Sequence, residues 1–427
     1  MLLKYSHRQR MVIHMKSQID KLNNFASVNK FAIATAPAIA QRMAGQYLSK
    51  KRAHEALQTS YRKTGSIDMS RIASYKTSDD IFTSKTIQRE GKSHGVYLCI
   101  DFSSSMSGVV SQVAIQYLII ALFCKTANLP FTVATFTDRS YGYNRLAGPG
   151  GAAGNYHSNL VQLVIADDSM SKSQLIEVFY HMVCASVINK HQYISNTFAR
   201  EYVDFLQRHF SMGGTPLADS HLATYVDAAA MRRQHQLENV TIMYITDGAG
   251  SGINVRDQIA SGYANSVVCP FSGRRYDTPN GNSTGIISPI NRMIRDHGLK
   301  IMNLFIADQS LTRSAVDFYH SNDDRQTSTS YSNRAQFDAE TLTIHGIDHK
   351  FSGKNTGIEV IDGLACYNKV IFASRNVFPV LVKDEMRFDE DASAQRVFKD
   401  STSSNTKMAL IGQMIVDEIC REFSIKN

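Results

Sequence analysis

Gly95-Val96-Tyr97-Leu98-Cys99-Ile100-Asp101-Phe102-Ser103-Ser104-Ser105-Met106-Ser107-Gly108 is the stretch around which the rest of the chain is read. Residues 96–100 form a short apolar, β-prone run. An Asp and two Ser follow at alternating positions, and a long helical pattern starts behind them. This is a buried strand ending in a polar tip, the place where open α/β sheets hold their ligands. Asp101, Ser103 and Ser105 make a D-x-S-x-S pattern. Carboxylate and hydroxyl oxygens are hard ligands, suited to Mg2+. Alone, the pattern is weak evidence, because Asp and Ser also cap helices and close turns.

Two further stretches decide the matter. Met212-Gly213-Gly214-Thr215-Pro216-Leu217 sets Thr215 in a Gly-rich loop, with Pro216 suited to a first helical position. Val240-Thr241-Ile242-Met243-Tyr244-Ile245-Thr246-Asp247-Gly248 is a second buried-strand run, ending in Asp-Gly. In that order, D-x-S-x-S, G-T-P and T-D-G resemble the metal-ion-dependent adhesion site of the von Willebrand factor A (VWA) domain. One departure is Ser104, where the family often has Gly; a small residue is kept, so the loop should survive. Any single Asp is more often a capping carboxylate at a strand-to-helix turn. The ordered coincidence of residues in three loops reverses that balance.

The resemblance implies a Mg2+ site. The hydroxyls of Ser103 and Ser105 would bind the ion directly, and Thr215 would do so in the engaged state. Asp101 and Asp247 would hold its waters and supply negative charge. The remaining position would be left for an Asp or Glu of another protein. Mostly neutral direct ligands leave the ion electrophilic, so an incoming carboxylate is held strongly. Such a site is a docking device; it lacks the clustered nucleophile and general base that hydrolysis would need.

The sequence has 427 residues, 43% hydrophobic and 20% charged, which indicates a folded chain with room for one large domain with insertions, or for two domains. No apolar run approaches the ~18–20 residues that span a bilayer. The first residues lack the apolar core of a signal peptide. The six Cys, at positions 99, 124, 184, 269, 366 and 420, make no C-x-x-C. They read as reduced, mostly buried thiols of a cytoplasmic protein without a membrane anchor. The net charge of +8 is uneven. Residues 1–95 hold 17 Lys and Arg against 6 Asp and Glu, and the remainder holds 29 against 32. The leading segment alone is basic. It is either a solvated helical face or a surface for nucleic acid or an acidic protein.

The predicted elements alternate. Helices are expected at 9–22, from about 35 to 61, 66–75, 109–129, 171–189, 197–209, 216–236, 286–297, 310–320 and 402–423. Strands are expected at 83–90 (an edge), 96–100, 131–137, 160–166, 240–246, 267–269, 299–307 and 369–374. This order gives an α/β fold: a doubly wound, mostly parallel sheet flanked by helices, Rossmann-like, with the site at the carboxyl ends of its strands. Residues 1–92 read as a basic, mainly helical extension and 93–427 as the VWA domain. Insertions are expected near 139–159, 249–285 and 321–357, with a helix closing the chain. The glycines of 148–154 lack G-K-[ST] and a following helix, and 352–355 fails at Asn355, so neither is a phosphate loop. His345 and His349 are four apart but carry no Glu, and Gly346 opposes a helix, so they do not read as a zinc site.

A second resemblance covers roughly residues 40–250. A basic helix, Thr64-Gly65-Ser66-Ile67-Asp68, Arg71-Ile72-Ala73 and Asp79-Asp80-Ile81-Phe82 precede the metal-site strand. This order is similar to cobaltochelatase-type VWA proteins, which work with MoxR-like or chelatase-like AAA+ ATPases. The implied function is a non-enzymatic, Mg2+-dependent adaptor for such an ATPase. The alternative is an RNA-binding VWA protein of the Ro autoantigen type, with the basic extension on nucleic acid. That family's helical ring is too long for residues 1–95. A third reading is a chelatase subunit acting on a tetrapyrrole only within its complex.

Overall fold

Successive side chains of a strand point to opposite faces of the sheet. In His94–Asp101 (β1) both faces are apolar: Val96, Leu98 and Ile100 enter one core, Tyr97 and Cys99 the other. A strand buried on both sides needs a helical layer on each. The computed structural model describes residues 27–58, 60–62, 67–77, 85–87, 93–138, 160–190, 212–248, 266–277, 286–307, 311, 313–315, 318, 341–344, 347–350 and 357–375. Six more strands join β1: Phe131–Thr137 (β2), Val161–Asp167 (β3), Asn239–Thr246 (β4), Lys300–Ala307 (β5), Ile358–Asp362 (β6) and Lys369–Ser374 (β7). The seven-stranded order is β6-β7-β5-β4-β1-β2-β3. The inner neighbours are parallel, and β6 and β3 pair antiparallel at the two edges.

Ser27–Gln58 (α1), Val110–Thr126 (α2) and Lys172–Lys190 (α3) cover one face; Leu217–Gln234 (α4) and Ile287–Asp296 (α5) cover the other. The fold is therefore α/β, with a doubly wound, mostly parallel sheet between helical layers. Alternation in β4 and β5 repeats the division of β1. Met243, Ile245, Met302, Leu304 and Ile306 face the first core, while Val240, Ile242, Tyr244, Ile301 and Phe305 face the second. Helix α2 is apolar all round because it is covered all round: α1 and α3 pack against it, and Tyr47 meets Phe123 edge-on at 5.6 Å.

Several local expectations are corrected. Helix α1 begins at Ser27, not near residue 35, and Pro37 lies inside it. An interior Pro costs a helix about 3 kcal/mol. The buried stripe of Ile33, Ile39, Met43 and Tyr47 offsets this, since each large apolar side chain contributes roughly 1.5–3 kcal/mol on burial. The helix expected at 66–75 is a single 3-10 turn, Ile72–Ser74. Ahead of it Asp68 closes an Asx turn, accepting from Ser70 N–H at 3.0 Å and Ser70 Oγ–H at 2.6 Å. The edge strand expected at 83–90 is Lys85–Ile87, paired with Ser60–Arg62 in a sheet of its own. The edges of the main sheet are already taken by β3 and β6.

The region expected as an insertion at 249–285 contains a hairpin, Ser266–Val268 with Arg275–Asp277. Its Val267, Cys269 and Tyr276 join the core with α4 and α5. Within 321–357, Thr341–Ile344 pairs with Ile347–Lys350, so His349 lies on a strand. Of the helix expected at 310–320, residues 311, 313–315 and 318 are described and helical. The expectations at 9–22, 139–159, 197–209 and 402–423 lie outside the described residues. Among the described residues no helix is long and apolar enough to cross a membrane. Cys99, Cys124, Cys269 and Cys366 are free and buried.

Candidate metal centre

Strands β1 and β4 are adjacent and parallel, so their polar tips, Asp101 and Thr246-Asp247, emerge side by side at the carboxyl edge. After β1 the chain turns through the 3-10 segment Ser105–Gly108 into α2. The Gly-Gly-Thr loop is laid along this turn. Gly213 N–H donates to Phe102 O at 3.3 Å, and Ser104 N–H donates to Gly213 O at 2.8 Å. Ser104, the departure from the family pattern, adds its own hydroxyl to Gly213 O at 3.1 Å. Where Gly would leave only backbone bonds, Ser stitches the two loops with a side chain as well.

The side chains form a connected set. Asp101 Oδ1 accepts from Ser103 N–H at 2.9 Å, and Asp101 Oδ2 accepts from Thr246 Oγ1–H at 2.6 Å. The Ser103 and Ser105 hydroxyl oxygens are 2.9 Å apart, and Ser105 Oγ–H donates to Asp247 Oδ1 at 2.7 Å. The Thr215 hydroxyl lies against the turn after β4: a Cβ added to Gly248 would sit 3.6 Å from Thr215 Oγ1. The five residues singled out in the sequence thus converge from three loops. Asp101 is 0% exposed. Burial, helped by the charge of Asp247, pushes its carboxyl up to about 7 against the lowering bonds from Thr246 and Ser103.

Three other residues complete the surroundings and were not singled out. Thr246 lies inside the T-D-G motif, but its bond to Asp101 follows only from the strand pairing. Asp138, at the tip of β2, accepts from Gly214 N–H. Arg375, at the tip of β7, places Nη2 3.5 Å from Asp247 Oδ2 and 3.4 Å from Ser105 O. The signal that could have found both is the one that found Asp101: a polar residue directly after an apolar strand.

Asp138 also explains Gly214. A Cβ on that residue would lie 2.6 Å from Asp138 Oδ2 and 3.0 Å from its Cγ. Gly214→Ala should therefore expel the carboxylate from its N–H partner and lower stability by about 1–3 kcal/mol. Thermal denaturation is the check; an unchanged Tm would mean that Asp138 does not hold this loop.

The donor set suits a hard cation. Ser103, Ser105, Thr215, Asp101 and Asp247 offer only oxygen, the ligand Mg2+ takes, and no nitrogen or sulfur for zinc. Asp101 is buried among neutral donors, where a cation would compensate its charge. Among the described residues no group of three or more His, Cys, Asp or Glu is arranged to hold a metal. An ion here would therefore depend on the hydroxyls as well as the two carboxylates.

No protein-family model matches the chain, and no curated protein does. Among solved structures it is similar to the pilus adhesin SpaC from Lactobacillus rhamnosus GG, at 16% identity and a TM-score of 0.29. That match covers 51% of this chain and 24% of the adhesin, so the chain spans about a quarter of that protein's length. It is similar to the PilB minor pilin from Streptococcus sanguinis at 13% identity, TM-score 0.29, covering 52% of each chain. It is also similar to the vWF domain of the type V pili tip protein Mfa5 from Porphyromonas gingivalis, at 10% identity and TM-score 0.26. That match covers 51% of this chain and 82% of the domain. At TM-scores this low the likenesses carry no functional argument, and the fold is read from the sheet itself.

Proposed function

We propose that the chain is a VWA-type protein-interaction module whose adhesion site takes Mg2+ through Asp101, Ser103, Ser105, Thr215 and Asp247. The observation that carries this reading is the continuous hydrogen-bonded set linking Asp101, Ser103, Ser105 and Asp247 across two strand tips, with Thr215 beside it. Bound there, the cation supplies an electrophilic centre for a partner's Asp or Glu. The chain's own residues hold the geometry: Ser104 fixes the Thr215 loop, and Thr246 orients Asp101. The role is docking, not catalysis. The order of motifs ahead of β1 supports a MoxR-like or chelatase-like AAA+ ATPase as the working partner, in the cytosol.

The test is affinity purification from the native cell in Mg2+ and in EDTA, with nuclease-treated controls and the Asp101→Ala variant. An AAA+ ATPase should be recovered only with Mg2+, and not by the variant. Nucleic acid recovered regardless of metal would overturn this reading in favour of the basic leading segment. Its affinity would then fall steeply with salt and with charge reversal at Lys50, Lys51 and Arg52.

A further inference from the structure

Arg375 belongs to none of the three motifs, yet it reaches two of them. It follows β7, which is separated from β4 by β5. Its guanidinium crosses that gap to Asp247 Oδ2 at 3.5 Å and to Ser105 O at 3.4 Å. Nη1 lies over the end of the Ser105–Gly108 turn, 3.9 Å from where a Cβ on Gly108 would be. The Asp247 side chain is 1% exposed and that of Arg375 is 39%. The pair therefore has a buried anionic end and a cationic end open to solvent. Among the described contacts, Asp247 Oδ1 takes the Ser105 hydroxyl and Oδ2 faces the guanidinium.

Charge decides what this arrangement does. Asp101 and Asp247 balance a divalent cation, and Asp138 beside the Thr215 loop adds a negative charge that opposes an incoming anion. The guanidinium offsets that charge at the mouth and so favours an incoming anion. The same charge repels the cation, because like charges a few ångströms apart oppose each other in a partly buried site. An arginine here gives up metal affinity and gains anion affinity. Its planar fork also matches a carboxylate in a way a point charge does not.

We propose that Arg375 is the second cationic element of the docking site, holding Asp247 from one side and presenting its open face to the partner's Asp or Glu. This rests on reading the site as a metal-dependent carboxylate dock. A merely structural arginine, pinning the two turns together, would support both binding events. Its loss would weaken both. The charge role makes them move in opposite directions.

The experiment titrates Mn2+ into wild type, Arg375→Gln and Arg375→Lys, following free Mn2+ by electron paramagnetic resonance. Acetate is then titrated into each Mn2+-saturated protein, followed by water-proton relaxation. Arg375→Gln should bind Mn2+ roughly two- to fivefold tighter and acetate roughly two- to fivefold more weakly, the range of a part-exposed ion pair. Arg375→Lys, which keeps the charge, should retain the wild-type Mn2+ affinity. Affinities that fall together, do not move, or change alike in the lysine and glutamine variants overturn the proposal while leaving the metal site standing. Wild type that binds no Mn2+, or binds it without acetate, overturns the reading of the site and the proposal with it.

Discussion

Asp101→Asn should bind Mn2+ about 100-fold more weakly than wild type, the upper range for losing a residue that supports a metal's ligands, while staying folded. Asp101 is wholly buried at the end of β1, and its two oxygens take Ser103 N–H and Thr246 Oγ1–H. An amide keeps the volume and one of those bonds. The lost bond costs about 1 kcal/mol, and removing an uncompensated buried charge offsets it. The cation has no such compensation, because one of the two carboxylates that would hold it is gone. Calorimetric titration of Mn2+ reads the affinity directly. Thermal unfolding provides a second reading: wild type at a hundred times its dissociation constant should gain about 2.7 kcal/mol, and the variant very little. An Asn variant that binds Mn2+ like wild type would mean that no cation is held against this carboxylate.

Both strands that carry the site were legible because a fully buried strand is apolar on both faces: 96–100 stands out as an unbroken run, and 240–245 as one interrupted only by Thr241. Their polar ends were legible for the same reason, since a carboxylate directly after such a run needs partners for its charge. What was not legible depends on strand order. Arg375 and Asp247 are far apart in sequence and meet only because β7, β5 and β4 lie in that order. Asp138 also follows an apolar strand, but its partner is a backbone N–H, so the strand-end position alone does not tie it to the Gly-Gly-Thr loop. Pro37 misled because local preference places proline at a helix start, while packing of α1 on α2 carried the helix through it. Strand β6 was hidden by its polar residues, Glu359 and Asp362, on five residues pairing along one edge only.

Asp219→Asn should stabilise the protein at pH 8 by about 2–4 kcal/mol and change it little at pH 4, as the buried carboxyl's shift converts at 1.36 kcal/mol per unit. Asp219 lies in the first turn of α4, 7% exposed, and its Oδ1 has no hydrogen-bond partner among the described residues. Burial alone pushes its carboxyl up from 3.8 to about 7. The sign follows from proton binding. Between those values the unfolded chain has already lost the proton that the folded chain keeps, so stability falls as pH rises and the full cost is present above about 7. The helix N-terminus returns roughly 0.3–1 kcal/mol to a carboxylate in this turn, which lowers the expected gain. Asn removes the charge and its pH dependence together, so the two proteins should converge as the pH is lowered. Thermal denaturation at pH 4, 6 and 8 tests this. A variant less stable than wild type at pH 8 would show instead that the charge of Asp219 is met in solution, and that α4 starts on a paired carboxylate.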